Sequence, residues 1–173
     1  MSRQTLARVA ALFYALNFVL GTVAFSWARE GRAGDAAQMT LFAAIDYAVV
    51  AALLGKLFEP AGRAMSWTVA AIGLCGCALS AGDALGWFAT PVNPLAIFGL
   101  YCLGLGTLVA RSAMMPRWIG VLLMLGGLSW LTFAVPSFSR QLVPYNIGPG
   151  FIAELVFTLW LLIFGVRGPR AAA

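Results

Sequence analysis

The chain has 173 residues, of which 62% are hydrophobic and only 10% charged, and its mean hydropathy is +0.91. This composition excludes an ordinary soluble domain. The net charge is +5, but the basic residues are spread along the chain in ones and twos, so no nucleic-acid partner is expected. The chain has no histidine, which excludes imidazole metal ligation and histidine acid–base catalysis.

Six hydrophobic stretches predict an all-α fold, a polytopic bundle of six transmembrane helices in one domain over residues 1–173. The eight prolines lie at the edges of these stretches, where a missing backbone N–H disturbs a helix least. The first stretch is too long and too polar internally for a signal peptide, so we interpret it as a helix. The predicted spans are 6–27, 39–58, 66–90, 94–110, 116–135 and 149–166.

The distribution of lysine and arginine predicts the orientation. Basic residues concentrate at the amino terminus, in the second and fourth connections and in the tail, and are fewer in the alternate connections. By the positive-inside rule, the chain is a multi-pass protein of the bacterial inner membrane with both termini cytoplasmic. The two sets are Arg3, Arg8, Lys56, Arg63, Arg111, Arg117, Arg167 and Arg170 on the inside, and Arg29, Arg32 and Arg140 on the outside.

Three acidic residues inside the predicted spans, Asp46, Asp83 and Glu154, are the candidate catalytic groups. Ionisable residues in membrane helices usually face a bundle interior or a wet cavity. Each lies about 7–10 Å below the predicted outer surface, so we expect the three carboxylates at the same depth in the bilayer. Burial and a neighbouring carboxylate favour the neutral acid, so a protonated acid beside an ionised one would supply a proton donor and a base. The alternative is a set of structural hydrogen bonds, with Arg140 as partner of Glu154 or Asp83.

Helical periodicity places small and polar residues on the faces of Asp83 and Glu154, which favours interior positions. The helix face that carries Asp46 is more apolar. Its helix is therefore either packed on both sides or borders a hydrophobic pocket that would suit a lipid-like ligand. We expect Tyr47, Tyr145 and Asn146 at the outer rim. The candidate ligand-binding residues are Tyr14, Asn17, Ser80, Trp87, Tyr101, Arg140 and Thr158.

The three cysteines, Cys75, Cys77 and Cys102, lie in apolar stretches without C-x-x-C spacing and are interpreted as packing residues. The acids form no paired motif with phosphate-binding spacing, so neither a metal nor a cofactor is expected.

Several segments resemble a bacterial six-helix membrane family known only as a domain of unknown function. The most specific are Arg111-Ser112, 115–123 (MPRWIGVLL), Gly126-Gly127 and Glu154-Leu155 with 159–162 (LWLL); 8–14 and 57–60 are similar too. The resemblance implies a six-helix fold and acidic family positions at Asp46 and Glu154, with Asp83 a looser match. The chain departs from the family pattern at Tyr101, where a histidine is expected, and lacks an expected arginine in the third helix. The resemblance supplies no activity.

The sequence is compatible with three functions. Because only the first of them includes catalysis, the sequence does not decide whether the protein is an enzyme. The first is binding, with acid–base conversion of the isomerase or cyclase type, of a hydrophobic lipid-like molecule in a carboxylate-lined pocket near the periplasmic face. The second is a small proton-coupled transporter acting as a homodimer. The third is a non-catalytic assembly or accessory subunit of a membrane complex. The expected partners are membrane lipids, a hydrophobic small molecule and a second copy of the chain.

Overall fold

The computed structural model of the chain describes residues 1–87 and 92–167. Over these residues the protein is all-helical, with no strand. Short 3-10 turns, Glu59–Ala61 and Thr132–Ala134, follow the second and fifth helices. The seven α-helices of the described ranges are α1 (Arg3–Arg29), α2 (Ala33–Phe58), α3 (Arg63–Ala84), α4 (Pro94–Ser112), α5 (Arg117–Leu131), α6 (Pro136–Leu142) and α7 (Gly148–Ile163).

Local sequence explains where several helices begin and end. The Ser2 hydroxyl accepts a hydrogen bond from the Thr5 N–H at 3.1 Å and caps α1. Asn93 caps α4 in the same way, and Pro94 follows at the first helical position, where its lack of an N–H is harmless. Gly86 has a φ of +67°, and this left-handed residue turns the chain away just after α3.

The six longer helices form a closed ring. Each packs against its two neighbours in the order α1, α2, α3, α4, α5, α7 and back to α1. The short helix α6 joins α5 to α7 and packs on the 3-10 turn that follows α5. Side chains from all six long helices therefore meet along the axis of the bundle.

Five helical segments are long and apolar enough to cross a membrane, which identifies a membrane protein by length and composition. These are Arg3–Arg29, Ala33–Ala61, Arg63–Ala84, Pro94–Ser112 and Arg117–Ala134. The sixth predicted span corresponds to α7, which is apolar but has only 16 residues. At 1.5 Å per residue it extends about 24 Å, less than the roughly 30 Å hydrocarbon core of a bilayer. The structure thus supports five of the six predicted spans by this criterion.

The largest departures from the predicted boundaries are at α2 and α3, and one short helix was not predicted. Helix α2 begins at Ala33, six residues before predicted position 39. The predicted span began at the strongly hydrophobic residues and left out the alanine-rich first turn, although alanine favours helix formation. Helix α3 ends at Ala84 instead of continuing to 90, since Gly86 breaks it; positions 88–90 of that span lie outside the described residues. The short helix α6 was not predicted, because it lies in a polar connection.

The two ends of the bundle can be distinguished by their contacts. The Gln4 side chain donates to the Phe164 carbonyl at 3.0 Å and accepts from the Val166 N–H at 3.0 Å. The Arg167 N–H donates to the Met114 carbonyl at 2.9 Å. The start of α1, the α4–α5 connection and the end of α7 therefore share one end, which we call the terminal end. The α1–α2 turn and the last turn of α3 form the opposite end.

Candidate functional site

Glu154 of α7 is the centre of the largest buried polar cluster in the described part of the chain. Its Oε2 accepts hydrogen bonds from the hydroxyl groups of Tyr14 at 2.6 Å and Tyr47 at 3.4 Å. Its Oε1 accepts from the Trp130 indole N–H at 2.6 Å and from the Cys102 thiol at 3.6 Å. A carboxylate has about four acceptor sites, and four donor groups surround this one, of which Tyr14 and Trp130 make the shortest hydrogen bonds. Through this one side chain α7 is joined to α1, α2, α4 and α5.

The donors to Glu154 are themselves linked. The hydroxyls of Tyr14 and Tyr47 lie 2.8 Å apart. Because each phenol has one proton, Tyr14 donates to Glu154, and Tyr47 shares its proton between the Tyr14 oxygen and the more distant Oε2. The rings of these two tyrosines meet edge to face with centroids 5.2 Å apart, and Phe157 packs against Tyr14 at 6.2 Å. Aromatic packing of this kind holds the phenols in one orientation. The cluster is therefore a rigid, hydrogen-bonded core.

Small residues make room for the cluster. A Cβ placed on Gly150 would overlap the Trp130 indole ring, so glycine at that position lets the indole lie against α7 beside Glu154. On the other side, a Cβ on Gly73 would come within 2.9 Å of the Tyr101 ring. The sequence thus builds the site from large aromatic side chains set against glycines of neighbouring helices.

Two further buried hydroxyl groups lie close to Glu154. Tyr101 packs its ring on Tyr47 with centroids 5.7 Å apart, and Thr158 follows Glu154 by one helical turn. Both side chains are 1% exposed, and neither hydroxyl has a hydrogen-bond partner within residues 1–87 and 92–167. Tyr14, Tyr101 and Thr158, three of the residues predicted to bind a ligand, therefore gather around the predicted acid.

Asp46 is buried on α2, next to Tyr47 in the sequence, but belongs to a different face. Neither of its carboxyl oxygens has a partner that meets hydrogen-bond geometry among the described residues. The Asn17 side chain lies beside it and donates its amide to the Ala43 carbonyl at 2.8 Å. This interhelical bond ties α1 to α2 one turn from the Glu154 cluster. A buried polar group without partners is costly, which keeps Asp46 a candidate functional residue.

The three acids occupy different surroundings. Asp83 is exposed in the last turn of α3, whereas Asp46 lies 13 residues after the start of α2, roughly 20 Å along its axis. Glu154 lies at nearly the height of Asp46, since Tyr47 reaches it. The three carboxylates were predicted at equal depth because α2 was expected to begin at 39 and α3 to continue to 90. In the structure α2 begins at Ala33 and α3 ends at Ala84, so the three depths are not equal. The hydrogen bonds of the described residues link none of these carboxylates to another.

Asp83 borders an open groove at the opposite end of the bundle, between α1, α2 and α3. The groove has a volume of about 430 Å³ and is lined mainly by alanine and glycine. The Asn17 to Ala43 hydrogen bond lies just below it, because Ala43 lines the groove and Tyr47 follows one turn deeper. Its lining residues are Gly21, Ala24, Phe25, Ala28, Ala36, Ala37, Thr40, Ala43, Asp83 and Ala84.

The remaining predicted residues lie apart from the Glu154 cluster. Ser80 is half-buried on α3, one turn before Ala84 of the groove. Trp87 is 75% exposed in the turn after α3. Arg140 is exposed on α6, where its Nε donates to the Pro136 carbonyl at 3.3 Å, and it forms no salt bridge within the described ranges. The expected pairing of Arg140 with Glu154 or Asp83 is therefore not formed in the structure.

Three members of the cluster were missed by the sequence interpretation. Tyr47 was expected at the outer rim but is buried, since α2 begins earlier and the residue lies deeper than predicted. Cys102 was interpreted as a packing residue, and Trp130 was not considered. A tryptophan or tyrosine inside a membrane span needs a partner for its polar atom, and this requirement could have pointed to both Trp130 and Tyr47.

The arrangement around Glu154 offers hydrogen-bond donors and one carboxylate, without a basic partner among the salt bridges of the described residues. Within the same residues, no group of three or more Cys, Asp or Glu side chains is placed to hold a metal ion. Chemically the cluster can hold or exchange a proton along the Tyr47, Tyr14 and Glu154 chain. Glu154 lines neither the groove nor the narrow space beside Tyr101 between α2, α3 and α4.

These features define a polytopic helical membrane protein with a hydrogen-bonded carboxylate at the centre of its bundle. A family model described as "Domain of unknown function (DUF4386)" matches residues 90–165. This match confirms the resemblance to a family of unknown function that the sequence indicated. It covers less than half of the chain, from α4 to α7, and includes Cys102, Trp130 and Glu154.

The chain is also similar to a protein of Archaeoglobus fulgidus that is described as an uncharacterized protein. It is 32% identical over 68 residues, which are 39% of this chain and 41% of that protein. The matched part of the chain therefore spans less than half of the relative's length. No solved structure matches the chain.

Proposed function

We propose that this protein binds a hydrophobic, lipid-like molecule in the groove between α1, α2 and α3. The observation that carries the proposal is the groove itself. Its volume of about 430 Å³ falls within the range of roughly 300–1,000 Å³ that is typical of small-molecule sites. Eight of its ten lining residues are alanine, glycine or phenylalanine, so an alkyl chain would be the natural occupant.

The location of the groove supports a ligand that comes from the membrane. It lies where α1 ends, α2 begins and α3 ends, and the arginine distribution predicts that this end faces the periplasm. Phe25 is 58% exposed at its edge. An apolar groove open at the rim of a membrane bundle is accessible to lipid without passage through water.

The proposal is limited to binding. Acid–base conversion would require Glu154 or Asp46 to reach the bound molecule, and neither residue lines the groove. The hydrogen bonds of Glu154 are filled by residues of four other helices, which supports a role in holding the bundle together. No contact within the described residues favours a dimeric transporter or an accessory subunit over the binding role.

A photoactivatable diacylglycerol, with a diazirine in one acyl chain, tests the proposal on the full chain in lipid nanodiscs. Cross-links should concentrate on α1, α2 and α3 beside the groove. Gly21→Trp should reduce this labelling by at least about fivefold, equivalent to about 1 kcal/mol of binding free energy. Apart from its chain neighbours and the adjacent backbone of α1, no atom of the described residues lies within 4 Å of a Cβ placed at Gly21, so the added side chain starts from open space at the groove.

The matched control is Val19→Trp, which adds the same ring to α1 at a position 59% exposed and outside the groove lining. It should leave the labelling unchanged. Equal labelling of both variants and the wild type, or cross-links spread evenly over the outer faces of α5 and α7, would show that the groove has no special affinity for lipid.

A further inference from the structure

We propose that the occupant of the groove is a phospholipid whose head group carries both a primary ammonium and a phosphate, as in phosphatidylethanolamine. This inference rests on the proposed lipid-binding function and adds the class of head group. It is carried by two oppositely charged side chains: Asp83, which lines the otherwise apolar groove, and Arg29, which directly follows the lining residue Ala28 on α1.

Asp83 supplies the negative charge. Among the described lining residues it is the one ionisable group, it is exposed, and it makes no side-chain hydrogen bond or salt bridge to a described residue. The other polar side chain of the lining, Thr40, already donates its hydroxyl to the Ala36 carbonyl at 2.9 Å. An unpaired carboxylate at the mouth of an apolar groove favours a cation, and a primary ammonium can also donate hydrogen bonds to it.

Arg29 supplies the positive charge. Its guanidinium carbon lies 5.9 Å from the centroid of the Phe25 ring, and Phe25 lines the groove. This contact places the guanidinium beside one lining residue, and Arg29 directly follows Ala28, another lining residue, on α1. Arg32, the neighbouring cation, is instead paired with Asp35 at 2.9 Å. Arg29 forms no salt bridge within residues 1–87 and 92–167, so it is available to a phosphate.

The two charges together discriminate between classes of lipid. A neutral diacylglycerol would fill the apolar groove but leave both charges unpaired. An anionic head group such as glycerol phosphate would satisfy Arg29 and be repelled by Asp83. A head group with ammonium and phosphate satisfies both, and electrostatic complementarity of this kind contributes more to specificity than to affinity.

Native mass spectrometry of the purified full chain in detergent tests the inference with three probes that share the same acyl chains: phosphatidylethanolamine, phosphatidylglycerol and diacylglycerol. The wild type should bind phosphatidylethanolamine about fivefold more tightly than phosphatidylglycerol, the factor expected for one partly exposed ion pair. Asp83→Asn should reduce this ratio to near one. Arg29→Gln should weaken both phospholipids by about fivefold and leave diacylglycerol unchanged.

Glu59→Gln and Arg140→Gln are the controls, because each removes a charge of the same sign from a position outside the groove lining, and Glu59 pairs with Lys56 at the other end of α2, away from Arg29 and Arg32. Both variants should keep the wild-type preference for phosphatidylethanolamine over phosphatidylglycerol. Since Asp83 and Arg29 are exposed, their variants are expected to fold as the wild type does. A ratio near one in the wild type, or one that Asp83→Asn leaves unchanged, overturns the inference.

The same experiment separates this inference from the function on which it rests. If the three lipids bind equally and Gly21→Trp abolishes their binding, the groove binds lipid and only the head-group assignment is wrong. If none of the three lipids binds to the wild type, both the assignment and the proposed function are wrong.

Discussion

Glu154 shows how a membrane bundle can bury a carboxylate with no basic partner among the described residues. Burying an unpaired charge is expensive, and the cost falls only when the group is fully hydrogen-bonded. Here the compensation comes from two phenols, an indole and a thiol that approach from four other helices. Each donor is uncharged, so the stability of the cluster depends on geometry more than on ion pairing.

Replacement of Glu154 by glutamine tests this arrangement. The glutamine amide presents donors where the native carboxylate oxygen accepts, so either Trp130 or Tyr14 loses its acceptor. We expect the free energy of unfolding to fall by about 1–3 kcal/mol, as for a buried donor left unsatisfied. Steric trapping of the protein in bicelles would measure the change.

Two further variants test whether the loss of stability comes from the hydrogen bonds of the Glu154 cluster. Glu30→Gln removes a carboxylate whose side chain is 56% exposed and 3.9 Å from Arg32, and should cost no more than about 1 kcal/mol. Tyr14→Phe removes one donor, and its effect should be less than additive with that of Glu154→Gln because both break the same bond. Strict additivity would mean that the 2.6 Å hydrogen bond between these residues contributes nothing to stability.

At the scale of elements, the packing of α4 against α5 depends on glycine. Two glycine pairs, Gly99 with Gly127 and Gly106 with Gly120, bring the two backbones together at points two turns apart. A Cβ on Gly106 would lie 2.5 Å from the Gly120 carbonyl oxygen. Small residues at such crossings let membrane helices approach closely and gain van der Waals contact.

Gly106→Ala should therefore destabilise the protein by about 1–3 kcal/mol, since a backbone atom cannot move aside as a flexible side chain would. Gly21→Ala is the matched control, because apart from the adjacent part of α1 no described residue has an atom within 4 Å of its added Cβ. That substitution should be neutral or stabilising by up to about 1 kcal/mol, the difference in helix propensity. Equal effects of the two substitutions on unfolding in detergent would contradict the role of close backbone approach at α4 and α5.

At the scale of the whole molecule, the closed ring constrains how the chain can sit in a membrane. Gln4 binds Phe164 and Val166, and Arg167 binds Met114, so the end of α7 meets the start of α1 and the α4–α5 connection. If the five long segments cross the bilayer, this contact requires α7 to cross as well. The short α7 can do so where the bilayer thins locally or where flanking groups extend to the interface.

This reasoning predicts that Ser2 and Arg167 lie on one side of the membrane and that Gly34 and Ser137 lie on the other. Single cysteines at these positions, in a chain whose three native cysteines are alanine, can be tested with a membrane-impermeant maleimide on intact cells. The positive-inside rule predicts labelling of Gly34→Cys and Ser137→Cys before permeabilisation, and of the other two only afterwards. Labelling of Arg167→Cys together with Ser137→Cys would mean that α7 does not cross.

The sequence predicted much of the fold and part of the candidate site. Span 94–110 agrees with α4 to within two residues, because Asn93 and Pro94 mark its start clearly. The end of span 66–90 was misplaced, because the hydrophobic run was given more weight than Gly86. Glu154 was identified, since a carboxylate in an apolar run is conspicuous. Trp130 and Cys102 were not, because a tryptophan or cysteine in such a run looks like ordinary packing.

The amino-acid sequence by itself determined the class of protein and the approximate positions of its helices, because hydrophobicity, proline and charge act locally along the chain. Only the tertiary structure decided which side chains surround Glu154, since Tyr14 and Tyr47 lie 140 and 107 residues away from it along the chain. The groove likewise exists only where three helices diverge, and Asp83 borders it because α3 ends at Ala84. Contacts of this range depend on how helices pack around the ring, and helical periodicity within each helix does not specify them.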